Sequence, residues 1–176
     1  LSPFLREKRM EAVLPYVKGK VLDIGCGVGK LTEYLGKESY LGVDIDEESL
    51  GVARKNYPDF TFVKATTFAT NVELYDTIVG MAVIEHVKDP IEFLVNLKKH
   101  LKPSGNIVLT TPHAAFDWVH ALGSKIGLFS KAANDEHEML FTKDTITETA
   151  LAAGLKVVGY KRFMLGVNQL ILIKFP

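Results

Sequence analysis

Short apolar runs alternate along this chain with stretches whose apolar positions recur every three or four residues. Residues 4–17 carry Leu5, Met10, Val13, Leu14 and Val17 near helical spacing and end at the turn Lys18-Gly19-Lys20. Residues 21–24 then read as a strand, 30–35 as the opening of a helix, and 40–43 as a second strand. Asp46 stands where it can cap the next helix, with Glu47 and Glu48 in the first turn, where the helix dipole favours acids. Residues 60–63 and 77–79 are the third and fourth strands. Asp89-Pro90 starts a helix with Phe93, Leu94, Leu97 and Leu101 on its apolar side. Lys102-Pro103-Ser104-Gly105 ends that helix, and residues 107–109 form the fifth strand. Residues 142–153 read as a helix closed by Gly154, and strands at 157–160 and 169–173 follow. The gap between those two strands is too short for a crossover helix, so they pair antiparallel. The remaining alternation predicts a doubly wound α/β fold: a mostly parallel, seven-stranded sheet with an antiparallel last strand and helices on both faces.

At 176 residues the chain is read as one domain spanning 1–176. Its 21 basic and 21 acidic side chains cancel, and no basic stripe is visible, which argues against a nucleic-acid partner. The Arg6, Lys8, Arg9 cluster reads as the solvated face of the first helix. The single cysteine, Cys26, cannot form an internal disulfide, in keeping with a reducing compartment. No apolar run approaches the roughly 18 residues of a membrane span, and no signal-peptide pattern stands out. A cytoplasmic protein without stable membrane insertion is the expectation.

Candidate chemistry concentrates in VLDIGCGVGK, residues 21–30. Asp23 closes the strand, and glycines follow at Gly25, Gly27 and Gly29. The dinucleotide pattern G-x-G-x-x-G needs its third glycine where Lys30 stands, so a nicotinamide-dependent oxidoreductase is disfavoured. Asp23 also suits a pyrophosphate poorly, because such turns gather anions at backbone N–H groups. It suits a ligand with a cationic end and no phosphate, of which S-adenosylmethionine is one. Asp44, at the end of the second strand, can accept from both hydroxyls of a ribose, and Ile45 beside it offers an apolar surface to adenine. Gly27 lets the backbone approach the ligand. Cys26 has no base nearby in sequence and reads as a lining residue rather than a nucleophile.

Five segments together resemble a known family. VLDIGCGVGK, YLGVDID (40–46), YDTIVGMAVIEHVKDP (75–90), LKPSGNIVLTTP (101–112) and His137 with Phe141-Thr142 follow the order of motifs in the class I S-adenosylmethionine-dependent methyltransferases. The resemblance lies with the broad group that includes the ubiquinone-biosynthesis O-methyltransferases, and it implies a Rossmann-like sheet. It also implies that Asp23 and Gly25 face the methionine part of the cofactor and Asp44 its ribose. The turn after the third strand usually carries Gly-Asp; here Ala65-Thr66 stand there, leaving Thr66, Thr67 or a backbone carbonyl for the adenine. Residues 82–86 would border the methyl-transfer chamber. Ala82 occupies the position of an acidic metal ligand in the ubiquinone-pathway enzymes, so no metal site built on Glu85 and His86 is expected.

Among the histidines, His137 and His113 lead as general bases, with His86 behind them; His100, near a helix end, reads as exposed or capping. Residues 113–138 form an insertion carrying Trp118, Leu122, Ile126 and Phe129 at helical spacing. It reads either as a cover for the sheet edge or as a lid that forms the acceptor pocket, with Phe116 and Trp118 lining it. The expected activity is methyl transfer from S-adenosylmethionine to a small-molecule acceptor, at oxygen ahead of nitrogen or carbon. A catalytically idle methyltransferase fold that binds the cofactor or a partner is the alternative.

Overall fold

A computed structural model of the chain describes residues 3–68, 73–114 and 139–176. Seven strands, β1 (Val21–Ile24), β2 (Tyr40–Asp44), β3 (Thr61–Lys64), β4 (Tyr75–Met81), β5 (Leu101–Pro112), β6 (Lys156–Phe163) and β7 (Asn168–Lys174), form one sheet in the order β3-β2-β1-β4-β5-β7-β6. The first five pair in parallel, and β7 runs antiparallel to both β5 and β6. The chain works outward from β1 to β3, then returns to the other side of β1 for β4. The strand order therefore reverses between β1 and β4, and a crevice opens beyond their carboxyl ends.

Helices α1 (Pro3–Val13), α2 (Glu47–Asn56), α4 (Pro90–Lys98) and α5 (Lys143–Ala152), with the single turn α3 (Ala65–Phe68), surround the sheet. Alternate strand residues feed two apolar layers. Leu22, Ile78, Leu109 and Ile171 pack on one face with Leu94 and Ile146. Val21, Val79 and Val108 pack on the other with Val13, Leu50 and Phe62. Strands buried on both faces read as continuous apolar runs, which is why these were legible as strands. Asp46 caps α2 by accepting from the backbone N–H groups of Glu48 and Ser49, each at 3.2 Å. Among the described residues no helix is long and apolar enough to cross a membrane.

Three local expectations are corrected. The stretch 30–35 is a 3₁₀ turn, Lys30–Tyr34, because Gly29 enters it left-handed at φ +77° without a capping side chain and Leu35 leaves it extended. Leu101 opens β5 opposite Tyr75 instead of lying on α4, and the breakers Lys102-Pro103-Ser104-Gly105 sit inside β5 where its register shifts. Such an irregularity is where a strand tolerates proline. The first helix stops at Val13, ahead of a 3₁₀ turn built on Pro15.

At the start of α5 the hydroxyl of Thr142 accepts from the backbone N–H of Thr145, while Thr145 returns the bond to the Thr142 N–H. Thr142→Ala is expected to lower stability by about 1 kcal/mol, read as a lower urea midpoint at unchanged slope.

Candidate functional site

The turn after β1 is fastened to β2 by backbone bonds: the N–H groups of Gly25 and Cys26 both donate to the Val43 carbonyl, at 2.8 and 3.1 Å. Gly25 has φ +70°, and a Cβ there would lie 2.4 Å from Val83 Cγ2, so no other residue fits. Gly27, at φ +52°, is a different case, because nothing lies within 4 Å of the place a Cβ would take. Its backbone faces open space that a ligand can enter. The Asp44 carboxylate draws the turn and α2 together, accepting from the Gly27 N–H at 2.7 Å and the Asp46 N–H at 3.0 Å. Ile45, next to it, is 79% exposed.

Two cavities meet at this turn, and Gly25 and Met81 line both. The larger, about 600 Å³, has walls of Ile24, Val43, Ile45, Ala65, Ala82, Val83, Val87 and Phe93, with Asp44 and His86 as its polar side chains. It has the apolar lining and few polar groups of a small-molecule site. The smaller, about 200 Å³, is bounded by Arg6, Arg9, Met10, Cys26, Gly27, Lys30, Leu31 and Ser49. One chamber is thus apolar with a carboxylate at its rim, and the other is cationic.

The expected site residues distribute unevenly over these walls. Gly25, Cys26, Gly27, Asp44, Ile45 and Ala82 line one cavity or both; Ala82 holds φ +59°, an uncommon conformation for a residue with a Cβ. Thr66 and Thr67 are exposed on α3, and Ala65 is the member of that turn on the cavity wall. Cys26 is buried beside Asp23 and Asp44, and burial followed by those two charges pushes its thiol far above its ordinary pKa. It is a neutral lining group. Asp23 lies beneath the turn, 1% exposed, with one carboxylate oxygen accepting from the Tyr40 hydroxyl at 2.8 Å and the other, Oδ1, buried without a hydrogen-bond partner among the described residues. Burial raises its pKa from 3.8 to about 7, against the lowering effect of the Tyr40 hydrogen bond.

Of the histidines, His86 stands on the wall of the larger cavity. His113 borders neither chamber: its N–H donates to the Val167 carbonyl at 2.9 Å, and burial with nearby Arg162 lowers its pKa. His137, with Phe116, Trp118, Leu122, Ile126 and Phe129 and most of the insertion 113–138, lies outside the described residues. Among the described residues no three histidine, cysteine or acidic side chains come together as a metal site.

One reading of the first helix is overturned. Arg9 is 4% exposed, lines the cationic chamber together with Arg6, and donates from Nε to Asn168 Oδ1 at 3.0 Å. Only Lys8 keeps the solvated role, paired to Glu11. The signal was in the spacing: Arg9 is four residues after Leu5 and four before Val13, on the face α1 turns inward. Composition of the cluster, which suggested a solvated face, was the poorer guide.

Comparison with known proteins supplies the context. A family model described as "Methyltransferase domain" matches residues 2–160. Ubiquinone biosynthesis O-methyltransferase of Vibrio vulnificus is 34% identical over 116 residues, covering 58% of this chain and 49% of that protein. The protein of the same name from Dinoroseobacter shibae is 30% identical over 159 residues, covering 84% of this chain and 64% of its own length. The chain therefore spans about half to two thirds of these relatives. Magnesium protoporphyrin IX methyltransferase from Synechocystis, solved with bound S-adenosylhomocysteine, matches 98% of this chain and 84% of that one at TM-score 0.73 and 18% identity. A glycopeptide N-methyltransferase solved with S-adenosylmethionine matches 97% and 86% at TM-score 0.71 and 16% identity. These two likenesses establish the shared fold.

Proposed function

The chain belongs to the class I S-adenosylmethionine-dependent methyltransferases, and from that premise we propose that it transfers the donor's methyl group to an oxygen of a small-molecule acceptor. The observation that carries the site assignment is the pair of unlike chambers joined at Gly25 and Met81. The adenosine occupies the larger one, with its ribose hydroxyls on Asp44 and its adenine against Ile45 and Ala65. The amino-acid end enters the smaller one, where Arg6 and Arg9 attract its carboxylate and Asp23 its ammonium. The sulfonium then lies near Gly25 and Met81, and its methyl points into the space bordered by Ala82, Val83 and His86.

In the transfer, a lone pair of the acceptor oxygen attacks the methyl carbon, the carbon–sulfur bond breaks, and its electrons return to sulfur as the neutral thioether. The acceptor proton leaves to solvent or to His86. Aligning oxygen, carbon and sulfur in a chamber with apolar walls supplies much of the acceleration; a base adds to it when the acceptor hydroxyl is weakly acidic. Oxygen as the acceptor atom follows the named activity of the sequence relatives.

Thermal unfolding with S-adenosylhomocysteine and with NAD tests the donor class. S-adenosylhomocysteine at about 100 times its dissociation constant should add roughly 2.7 kcal/mol of stability and raise Tm. Stabilisation by NAD and none by S-adenosylhomocysteine would overturn the assignment. A stabilised protein that transfers no label from methyl-labelled donor to any phenolic or hydroxylic acceptor would favour the idle fold.

A further inference from the structure

We propose that Tyr40 is a positioning residue for donor binding: through space left open by Gly42, its hydroxyl fixes one oxygen of Asp23 and leaves the other for the donor's cationic end. The inference rests on the donor reading above and extends it to two residues no motif marks for this role.

The geometry begins with register. Tyr40 pairs with Val21 and Gly42 with Asp23 on the neighbouring strand, so Tyr40 and Asp23 belong to the same face of the sheet two residues apart. To reach Asp23 the phenol must run along β2, across the position of residue 42. A Cβ on Gly42 would lie 2.8 Å from Tyr40 Oη, 2.7 Å from Phe62 Cδ1 and 3.0 Å from Cys26 Sγ. Glycine is thus the residue that leaves the passage open. The ring is held there by edge-on contacts with Phe60 and Phe62, centroids 5.7 and 5.8 Å away. Tyr40 is 4% exposed, and burial first, then the charge of Asp23, keep its hydroxyl protonated, so it can act only as the donor in this bond.

Among the described residues, Asp23 therefore has one oxygen satisfied and one that is not. A buried carboxylate oxygen without a partner is costly unless a ligand or ion completes it. Cys26, which lines the cationic chamber, lies close enough to Asp23 for that charge to raise its thiol pKa, so the carboxylate is near the chamber wall without lining it. Among the described residues, burial acts on Asp23 first, and few groups act beside it. Tyr40 favours its charged form, Asp44 at the end of β2 opposes it, and its register neighbour on β4 is the apolar Val79. The Tyr40 hydrogen bond favours the charged form of the carboxylate against the burial that disfavours it.

The test is the pH dependence of S-adenosylhomocysteine affinity, by calorimetry between pH 5.5 and 9, for the wild type, Tyr40→Phe, Asp23→Asn and the double variant. Wild-type affinity should fall as pH drops below about 7, the value set for Asp23 by burial. Tyr40→Phe, which keeps the ring, should bind like the wild type at pH 9 but begin to weaken about one pH unit higher, losing several-fold at pH 7. In the Asp23→Asn background the pH dependence should be gone, and Tyr40→Phe should add nothing to it. The carboxyl carbon signal of Asp23 in the ligand-free protein should show the same upward shift in Tyr40→Phe. Superimposable profiles for wild type and Tyr40→Phe, with an unmoved carboxyl titration, would reduce Tyr40 to a packing residue. A wild type that binds no S-adenosylhomocysteine at any pH overturns the donor reading and this role with it; binding with unchanged profiles overturns the role of Tyr40 alone.

Discussion

Asp23→Asn should stabilise the ligand-free protein while weakening donor binding, and both effects should be large. The side chain is 1% exposed, and its folded pKa of about 7 lies well above the ordinary 3.8. A carboxyl group whose pKa is raised by folding contributes nothing unfavourable well below its ordinary value of 3.8, where it is neutral in both states. The cost grows between pH 4 and 7, where the unfolded chain ionises and the folded one resists, and it is complete above pH 7. Each unit of pKa difference corresponds to about 1.4 kcal/mol, so the neutral amide should gain roughly 2–4 kcal/mol at pH 8 and little at pH 4. Its oxygen can still accept from Tyr40. The same change removes the charge proposed to answer the donor's ammonium, for which a loss of about 2–3 kcal/mol, some 30- to 150-fold in affinity, is expected. Denaturation at pH 4 and pH 8 and calorimetry with S-adenosylhomocysteine measure the two effects separately. An Asn variant that binds as tightly as the wild type would show that the ammonium is recognised elsewhere.

Asp44→Ala should weaken S-adenosylhomocysteine binding by about 1.5–3 kcal/mol, roughly 10- to 150-fold. In the ligand-free protein its two oxygens are engaged by the Gly27 and Asp46 N–H groups, at 2.7 and 3.0 Å. Each oxygen keeps lone pairs beyond those bonds, so the carboxylate can hold the turn and accept from two ribose hydroxyls at once. The two roles separate with a ligand lacking both hydroxyls. Against 2′,3′-dideoxy-S-adenosylhomocysteine, wild type and variant should bind alike if the ribose contact carries the effect. An equal loss for both ligands would assign the whole effect to the turn.

Most of the fold was legible because its signals are local. Apolar runs, the Asp46 and Asp89 caps, and the short link between the last two strands each constrain a handful of neighbouring residues. The errors fell where a tertiary pairing or the backbone set by a glycine outweighed a local pattern. Leu101 fits the apolar spacing of α4, yet it completes β5 because Tyr75 offers it a strand partner. The turn 30–35 has helix-forming residues, but a left-handed Gly29 and an extended Leu35 leave no length for a helix. α3 left no mark in the sequence, since four residues carry no period.

The site divides in the same way. By itself the sequence determined the order of elements, the family and the glycine turn with its two carboxylates. All of these are written within a single strand–turn–helix unit or as motifs read in order. Tertiary structure decided that Arg9 faces a chamber through a bond to Asn168, 159 residues away. It put His86 on the wall and left His113 off it. It also brought Tyr40 to Asp23 across a gap at Gly42. Those contacts depend on which faces of distant elements meet when the sheet closes and water is expelled. Local spacing can mark an inward face, as it does for Arg9, but not which distant group that face meets, because the burial that fixes it exists only once the whole chain has folded.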